Sequence, residues 1–504
     1  GPMPQTRFVL EKALALDLKV IIVINKIDRP DARLDVVADE VLELMLDLNA
    51  SDDQLNSPIV YCSAREGTAT MDYHVAGTDM KPLFEAIISH IDPPKTDINA
   101  PFQMLVSSTE QNDYLGKLAV GKIEMGKIRL NQTVYISNYF DDSKHYSGKV
   151  VNIFNFNGLK RDPIEEGDAG DIICIAGIPD ITIGDTASES VDMAPIPFVK
   201  ISEPSVEMTF MVNDSPFAGK EGKFVTSRHL KDRLYKEAVK DLSLQVADGE
   251  TADQFKVRGR GEMHLSILIE NMRRDGYEFQ VSRPRVLFKT IDGVKCEPID
   301  KVVLDVPEDS VGTIMQSMGK KKGQLLDMSP IGSRMRLQFL VPSRGLFGYK
   351  SQMLTDTRGE GVMSSVFEKY APYEGEIEGR SFGSLISYET GEAVTYGLFN
   401  AQGRGRLLVR PGDKVYMGQV VGMNPKGDDI VVNVCKKKQL TNTRSSSSDE
   451  ALKLTPIQTL SLEGAIEFIA DDELVEVTPQ SIRIRKAILD HQLRAKSRKP
   501  VVED

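Results

Sequence analysis

The chain has 504 residues, 41% hydrophobic and 27% charged, with a formal net charge of −12. One core seldom organises more than about 250–300 residues, so several domains are expected, and the balanced composition excludes a mostly disordered or collagen-like chain. No apolar run nears the roughly 20 residues of a membrane span, GPMPQTRFVL does not open like a signal peptide, and Cys62, Cys174, Cys296 and Cys435 lie too far apart for a zinc knuckle or disulfide scaffold.

Residues 1–94 read as α/β. KVIIVI at 19–24 is a short β-branched run, expected to be a strand buried on both faces of a parallel sheet. Leu34, Val37, Val41, Leu44 and Leu48 share one helical face, PIVYC at 58–62 is a second buried strand, and Leu83, Ile87 and Ile91 mark another helix. The stretch DPPK at 92–95 ends it as a linker. Short alternating segments over 98–197 predict an antiparallel β-barrel. Residues 198–290 read β-α-β-α-β and 291–371 repeat the rhythm, predicting two ferredoxin-like α/β sandwiches. Residues 372–504 form a strand-rich, turn-rich C-terminal domain, broken by Ser445–Ser448. The fold class is therefore multidomain: α/β, β and α+β in succession.

The sharpest motif is Asn25-Lys26-Ile27-Asp28, at the carboxyl end of the first strand. That end of a parallel sheet is where ligands bind. The Asp28 carboxylate can accept from N1–H and the exocyclic amine of guanine, a donor pair that adenine lacks. The Asn25 amide can bond the other edge of the base and tie neighbouring loops, and the stem of Lys26 can cover its face. Ser63-Ala64 follows the next strand, where a backbone N–H can meet the base carbonyl while Ser63 braces the turn. A plain polar loop would also carry Asn, Lys and Asp; the strand-NKID, helix, strand-SA series favours a GTPase-type reading. GxxxxGK[S/T] occurs nowhere in the chain and no DxxG precedes Asn25. That motif cradles phosphates and supplies a Mg²⁺ ligand, so only the guanine-recognition half of a P-loop-type GTPase domain is expected here, in a chain truncated at its amino end.

Longer stretches carry a resemblance. VRGRGEMHLSILIENMRRDGYEFQVSRPRV (257–286) resembles the third domain of elongation factor G. EPIDKVVLDVPEDSVGTIMQSMGKKKGQL (297–325) and LVPSRGLFGYKSQMLTDTRGEG (340–361) resemble its fifth, with no room for a fourth domain between. SFGSLISYETGEAVTYGLFNAQGRGRLLVRPGDKVYMGQVVG and NVCKKKQLTNTR complete a pattern that resembles the BipA/TypA family of ribosome-associated translational GTPases. The resemblance implies GTP/GDP as ligand, with Mg²⁺ only in a complete GTPase domain. It implies ribosomal RNA and A-site tRNA as partners, a role in translation, large-subunit assembly or stress adaptation, and a cytoplasmic monomer without membrane contact. It places the catalytic groups upstream, so no catalytic or metal residue is expected in this chain, which alone should not hydrolyse GTP.

The densest acid-free basic segment is Lys436, Lys437, Lys438, Gln439, Leu440, Thr441, Asn442, Thr443 and Arg444. Its cations suit phosphates, and Gln439, Thr441 and Asn442 suit ribose and base edges, so Lys436, Lys437, Lys438, Gln439, Thr441, Asn442 and Arg444 are the RNA-binding candidates. Arg404 and Arg406, and the basic tail from Arg483 to Lys499, are secondary candidates. A solvated charged loop is the ordinary alternative. Two other function classes remain open: a ribosome- or RNA-binding module without hydrolysis, and a carrier built on the 411–422 hairpin with Lys414 modified.

Overall fold

The computed structural model describes all residues except 113, 199–202, 332–333, 378, 381, 438–451 and 498–504. At the amino end, strand Ile22–Asn25 pairs in parallel with Ile59–Ser63, which pairs antiparallel with Thr68–Thr70. Ile22 and Ile24 pack on Met45, with Leu34, Val37 and Val41 of helix Leu34–Asp47 beside them. The strand is not covered on both faces, because Val23 projects from the opposite side and is 43% exposed. Helix Lys81–His90 seats Ala86, with Leu83 beside it, against Val60 and Cys62, while Ile87 and Ile91 stay exposed.

The next unit is an open antiparallel sheet of eight strands, not the closed barrel expected from its alternation. Tyr146–Lys149 lies at one end of the hydrogen-bonded path, and Asn152–Asn157 lies next to the other end. The chain itself joins them: Val150 N–H bonds Gln132, whereas Val151 N–H bonds Ala176, so the backbone changes partners within two residues. The sheet still curls around one core that includes Phe102, Met104, Ile123, Val134 and Ile175.

Both following units have the β-α-β-β-α-β order of ferredoxin-like sandwiches. In the first, Val206–Met211, Ser227–Lys240, Gln245–Asp248, Gln254–Gly259, Glu262–Arg274 and Phe279–Val281 follow in sequence. Thr226 caps the first of its helices, its Oγ1 accepting from His229 N–H at 3.3 Å, and Leu230 and Leu234, four residues apart, fill the core. The second runs Val294–Pro307, Val311–Lys320, Gln324–Ile331, Arg334–Pro342, Tyr349–Asp356 and Val362–Pro372, around Leu304, Ile314, Phe339 and Met353.

The carboxy-terminal region contributes to three sheets, one of them only the short pair Gly391–Glu392 and Lys414–Val415. Four strands between Gly383 and Val432 make one. The hairpin Glu473–Val477 and Ile482–Lys486 instead joins the sheet of the first sandwich, with Phe279 opposite Val477 and Val281 opposite Val475. That sheet crosses two boundaries drawn from the sequence. One core results, in which Phe210, Phe279, Ile466, Val475 and Val477 are all buried. Among the described residues, no helix is long and apolar enough to cross a membrane, and all four cysteines are free thiols.

Candidate functional site

Asn25 ends the first parallel strand and Ser63 ends the second, so their loops leave the same sheet edge side by side. Lys26 adopts a left-handed backbone (φ 68°), which turns the chain at once after the strand. The Asn25 side chain then holds both loops. Its Oδ1 accepts from Lys26 N–H at 2.7 Å and from Ala64 N–H at 3.1 Å. A second tie runs the other way: Ser63 Oγ donates to Asp28 Oδ1 at 2.8 Å and accepts from Glu66 N–H at 3.3 Å. Ser63 is buried, whereas Asn25, Lys26, Asp28 and Ala64 are exposed.

The structure thus brings Asn25, Lys26, Asp28, Ser63 and Ala64 together on two adjoining loops. Ser63 orients the Asp28 carboxylate, which retains lone pairs for a ligand. Ala64 N–H, expected to face a base carbonyl, is engaged by Asn25 instead. A cleft of about 410 Å³ takes in Asn25 and Lys26 but not Asp28, Ser63 or Ala64. These residues fit the base of a guanine nucleotide. Nothing corresponding to the phosphate-binding motif stands in the sequence, and among the described residues no group of three or more His, Cys, Asp and Glu side chains is placed to hold a metal.

Of the RNA-binding candidates, Lys436 and Lys437 are exposed. Lys438, Gln439, Thr441, Asn442 and Arg444 lie outside the described residues. Arg404 and Arg406 are exposed. The basic tail is different from its sequence appearance. Arg483 pairs with Glu221 and, at 3.1 Å, with Glu476. Arg485 reaches Asp214 at 2.5 Å, and Lys486 meets Asp429, Glu473 and Asp472 at 2.7–3.0 Å. Arg494 donates to the carbonyls of Ile488 and Leu489. These cations close internal contacts rather than present a basic face. His264 is similarly structural: its Nδ1 accepts from Arg260 N–H at 3.3 Å, which leaves the Nε2 proton for Asp241 at 2.8 Å.

Two tied loops at the carboxyl edge of a parallel strand pair, followed by a curled antiparallel sheet and two ferredoxin-like units, have the architecture of a translational GTPase of the elongation-factor class. Family models agree along the chain: elongation factor Tu GTP binding domain over 1–93, elongation factor Tu domain 2 over 116–188, elongation factor G C-terminus over 294–380, and TypA/BipA C-terminal domain over 382–491. The protein named large ribosomal subunit assembly factor BipA in Escherichia coli K12 is 47% identical over 100% of this chain and 83% of its own length. Its namesakes in Haemophilus influenzae and Bacillus subtilis are 48% and 45% identical, over 97% and 99% of this chain and 79% and 82% of theirs. The chain belongs to the BipA/TypA family of translational GTPases.

Proposed function

We propose that this chain acts at the ribosome, reading guanine at Asn25, Lys26, Asp28, Ser63 and Ala64 and touching ribosomal RNA through residues 436–444. The observation that supports the base reading is the reciprocal pair of ties, Asn25 to Ala64 and Ser63 to Asp28, which fixes the two loops against each other. The Asp28 carboxylate accepts the N1–H and amine donors of guanine; the Lys26 stem lies along the ring; Ala64 N–H shifts its bond from Asn25 to the base carbonyl. GTP and GDP are the ligands. Mg²⁺ belongs to a complete GTPase domain, and the chain by itself does not hydrolyse GTP, because positioning and charge stabilisation around the phosphates carry that reaction. The large ribosomal subunit, the object in the relatives' name, is the partner, with A-site tRNA within reach; the protein works as a monomer in the cytoplasm.

Ligand-observed NMR with millimolar GDP, ADP and XDP tests the base reading. The parent chain is expected to favour GDP over ADP. Asp28→Asn should lose GDP at least tenfold and gain XDP, since an amide can donate to the 2-keto oxygen of xanthine. Equal signals for GDP and ADP, or an unchanged preference in the variant, would contradict the assignment.

A further inference from the structure

A cavity of about 790 Å³ lies where the two ferredoxin-like units meet helix Leu462–Phe468. Four carboxylates line it, and three of them come from three separate elements. Glu262 opens helix Glu262–Arg274, Asp300 sits on strand Val294–Pro307, and Glu467 comes from the third element, which also carries the fourth, Glu463. Their contacts are neutral donors: Gly348 N–H to Glu262 Oε2 at 3.2 Å, Ser343 Oγ to Asp300 Oδ1 at 2.7 Å, and Ser351 beside Glu467. Among the described residues none of the three forms an ion pair; Arg283 and Lys321 act on Glu262 and Glu467 only from longer range. Gly348 has a left-handed backbone, and an added Cβ would lie 2.2 Å from Glu467 Cγ, so only glycine lets Glu467 come this close.

A second, independent feature points into the same space. Ser266, one helical turn after Glu262, also lines the cavity, is 2% exposed, and its hydroxyl has no hydrogen-bond partner. Buried polar groups are ordinarily paired, and an unpaired one in a cavity wall calls for a ligand or water. The remaining wall carries an apolar stretch, with Leu346, Phe347, Leu354, Met363 and Phe367, and the polar side chains of Arg260, His264 and Lys350.

We propose that this cavity binds a small aliphatic polyamine, its ammonium groups on Glu262, Glu467 and Asp300, an N–H on Ser266, and its methylenes along the apolar wall. Desolvated carboxylates without a cation are unfavourable, and an ammonium inserted among them restores the missing pairing. A divalent metal fits less well, since no metal-ligating cluster converges among the described residues. An anion would face four carboxylates against the two cations Arg260 and Lys350.

Calorimetric titration of the 504-residue chain with spermidine at 150 mM KCl tests the proposal. One saturable site is expected. Glu262→Gln with Glu467→Gln should weaken it at least tenfold. Glu165→Gln with Glu250→Gln, which removes the same charge from exposed positions, should leave it within twofold. Ser266→Leu fills the cavity without changing charge and should also abolish binding, with circular dichroism confirming the fold. Burial pushes the Glu262 carboxyl up to about 7, aided by Glu467 and Glu463 and opposed by Gly348 N–H and Arg283. Asp300, Glu463, Glu467, His264 and the cations Arg260 and Lys350 face the same space. Spermidine stays charged between pH 6 and 8, so its affinity should rise about tenfold over that range as Glu262 ionises. Absence of a saturable site, equal weakening by the exposed-site control, or displacement by equimolar Mg²⁺ would overturn the proposal.

Discussion

The loops after Ile22–Asn25 and Ile59–Ser63 and the carboxy-terminal hairpin are both polar ends of short strand pairs, yet they are held in opposite ways. Asn25, Asp28 and Ser63 bond within two loops of one sheet, with Asn25 and Asp28 at the surface and only Ser63 buried beneath them. The hairpin residue Glu476 is fully buried and accepts from four groups: Tyr416 at 2.6 Å, Ser215 at 2.9 Å, and Asn213 and Arg483 at 3.1 Å. The first arrangement leaves polar atoms for a ligand. The second consumes its polar atoms in joining the first sandwich to the carboxy-terminal region. Similar residue types thus stay open to a ligand in one place and are used up in assembly in the other, and burial decides which.

Removing the hub of the buried network is the largest test of that contrast. Glu476→Ala should cost about 3–5 kcal/mol, because it leaves the buried donors of Tyr416, Ser215 and Asn213 without this acceptor and takes one of two carboxylates from half-buried Arg483. Denaturant unfolding should show residues 206–281 and 473–486 losing structure together. Separate transitions for the two would show that the shared sheet is not one cooperative unit.

The cavity between the sandwiches lies between these extremes, with half-buried carboxylates that accept from neutral donors and, among the described residues, form no ion pair. The Glu262 carboxyl is raised to about 7 by burial, with Glu467 and Glu463 adding to it. A raised carboxyl binds its proton more tightly in the folded state. Its stabilising balance is complete below the ordinary carboxylate range and is lost as pH rises through about 7. Glu262→Gln should therefore be nearly neutral at pH 5 and stabilising at pH 8, on the order of 2 kcal/mol. Thermal melts at the two pH values measure it; equal effects at both would show that Glu262 titrates normally.

At the surface loops, Asn25→Ala should cost only about 1 kcal/mol of stability, the net worth of the lost side-chain bonds. Its effect on ligand should be larger, with at least a tenfold loss of guanine nucleotide in the NMR titration. A large stability loss would move Asn25 into the structural class that Glu476 represents.

Local pattern explains why much was legible. Leu34, Val37 and Val41 repeat at helical spacing, and the helix forms with them against Ile22 and Ile24. NKID and SA follow their strands directly, so register alone sets them side by side. The misses are non-local. Strand Gln245–Asp248 is four residues long, half polar and at the sheet edge, so it carries little periodic signal. Arg483, Arg485 and Lys486 read as a basic tail because their acids, Glu221, Asp214 and Asp429, lie far off in sequence. The cavity gave no sign for the same reason: Glu262, Asp300 and Glu467 meet only after three elements pack. Openness of the eight-stranded sheet depends on a change of partners at Val150 and Val151, which alternation does not encode.

A chain carrying −12 overall is proposed to reach the ribosome through one basic segment. Co-sedimentation with large ribosomal subunits across a salt series tests it directly. The parent should bind at low salt with affinity falling steeply as salt rises, because each neutralised phosphate releases counterions. Replacing Lys436, Lys437, Lys438 and Arg444 by Ala should weaken binding and flatten that slope while the thermal melt stays unchanged. A parent that does not bind, or a folded quadruple variant that keeps the parent's affinity and slope, would contradict the account.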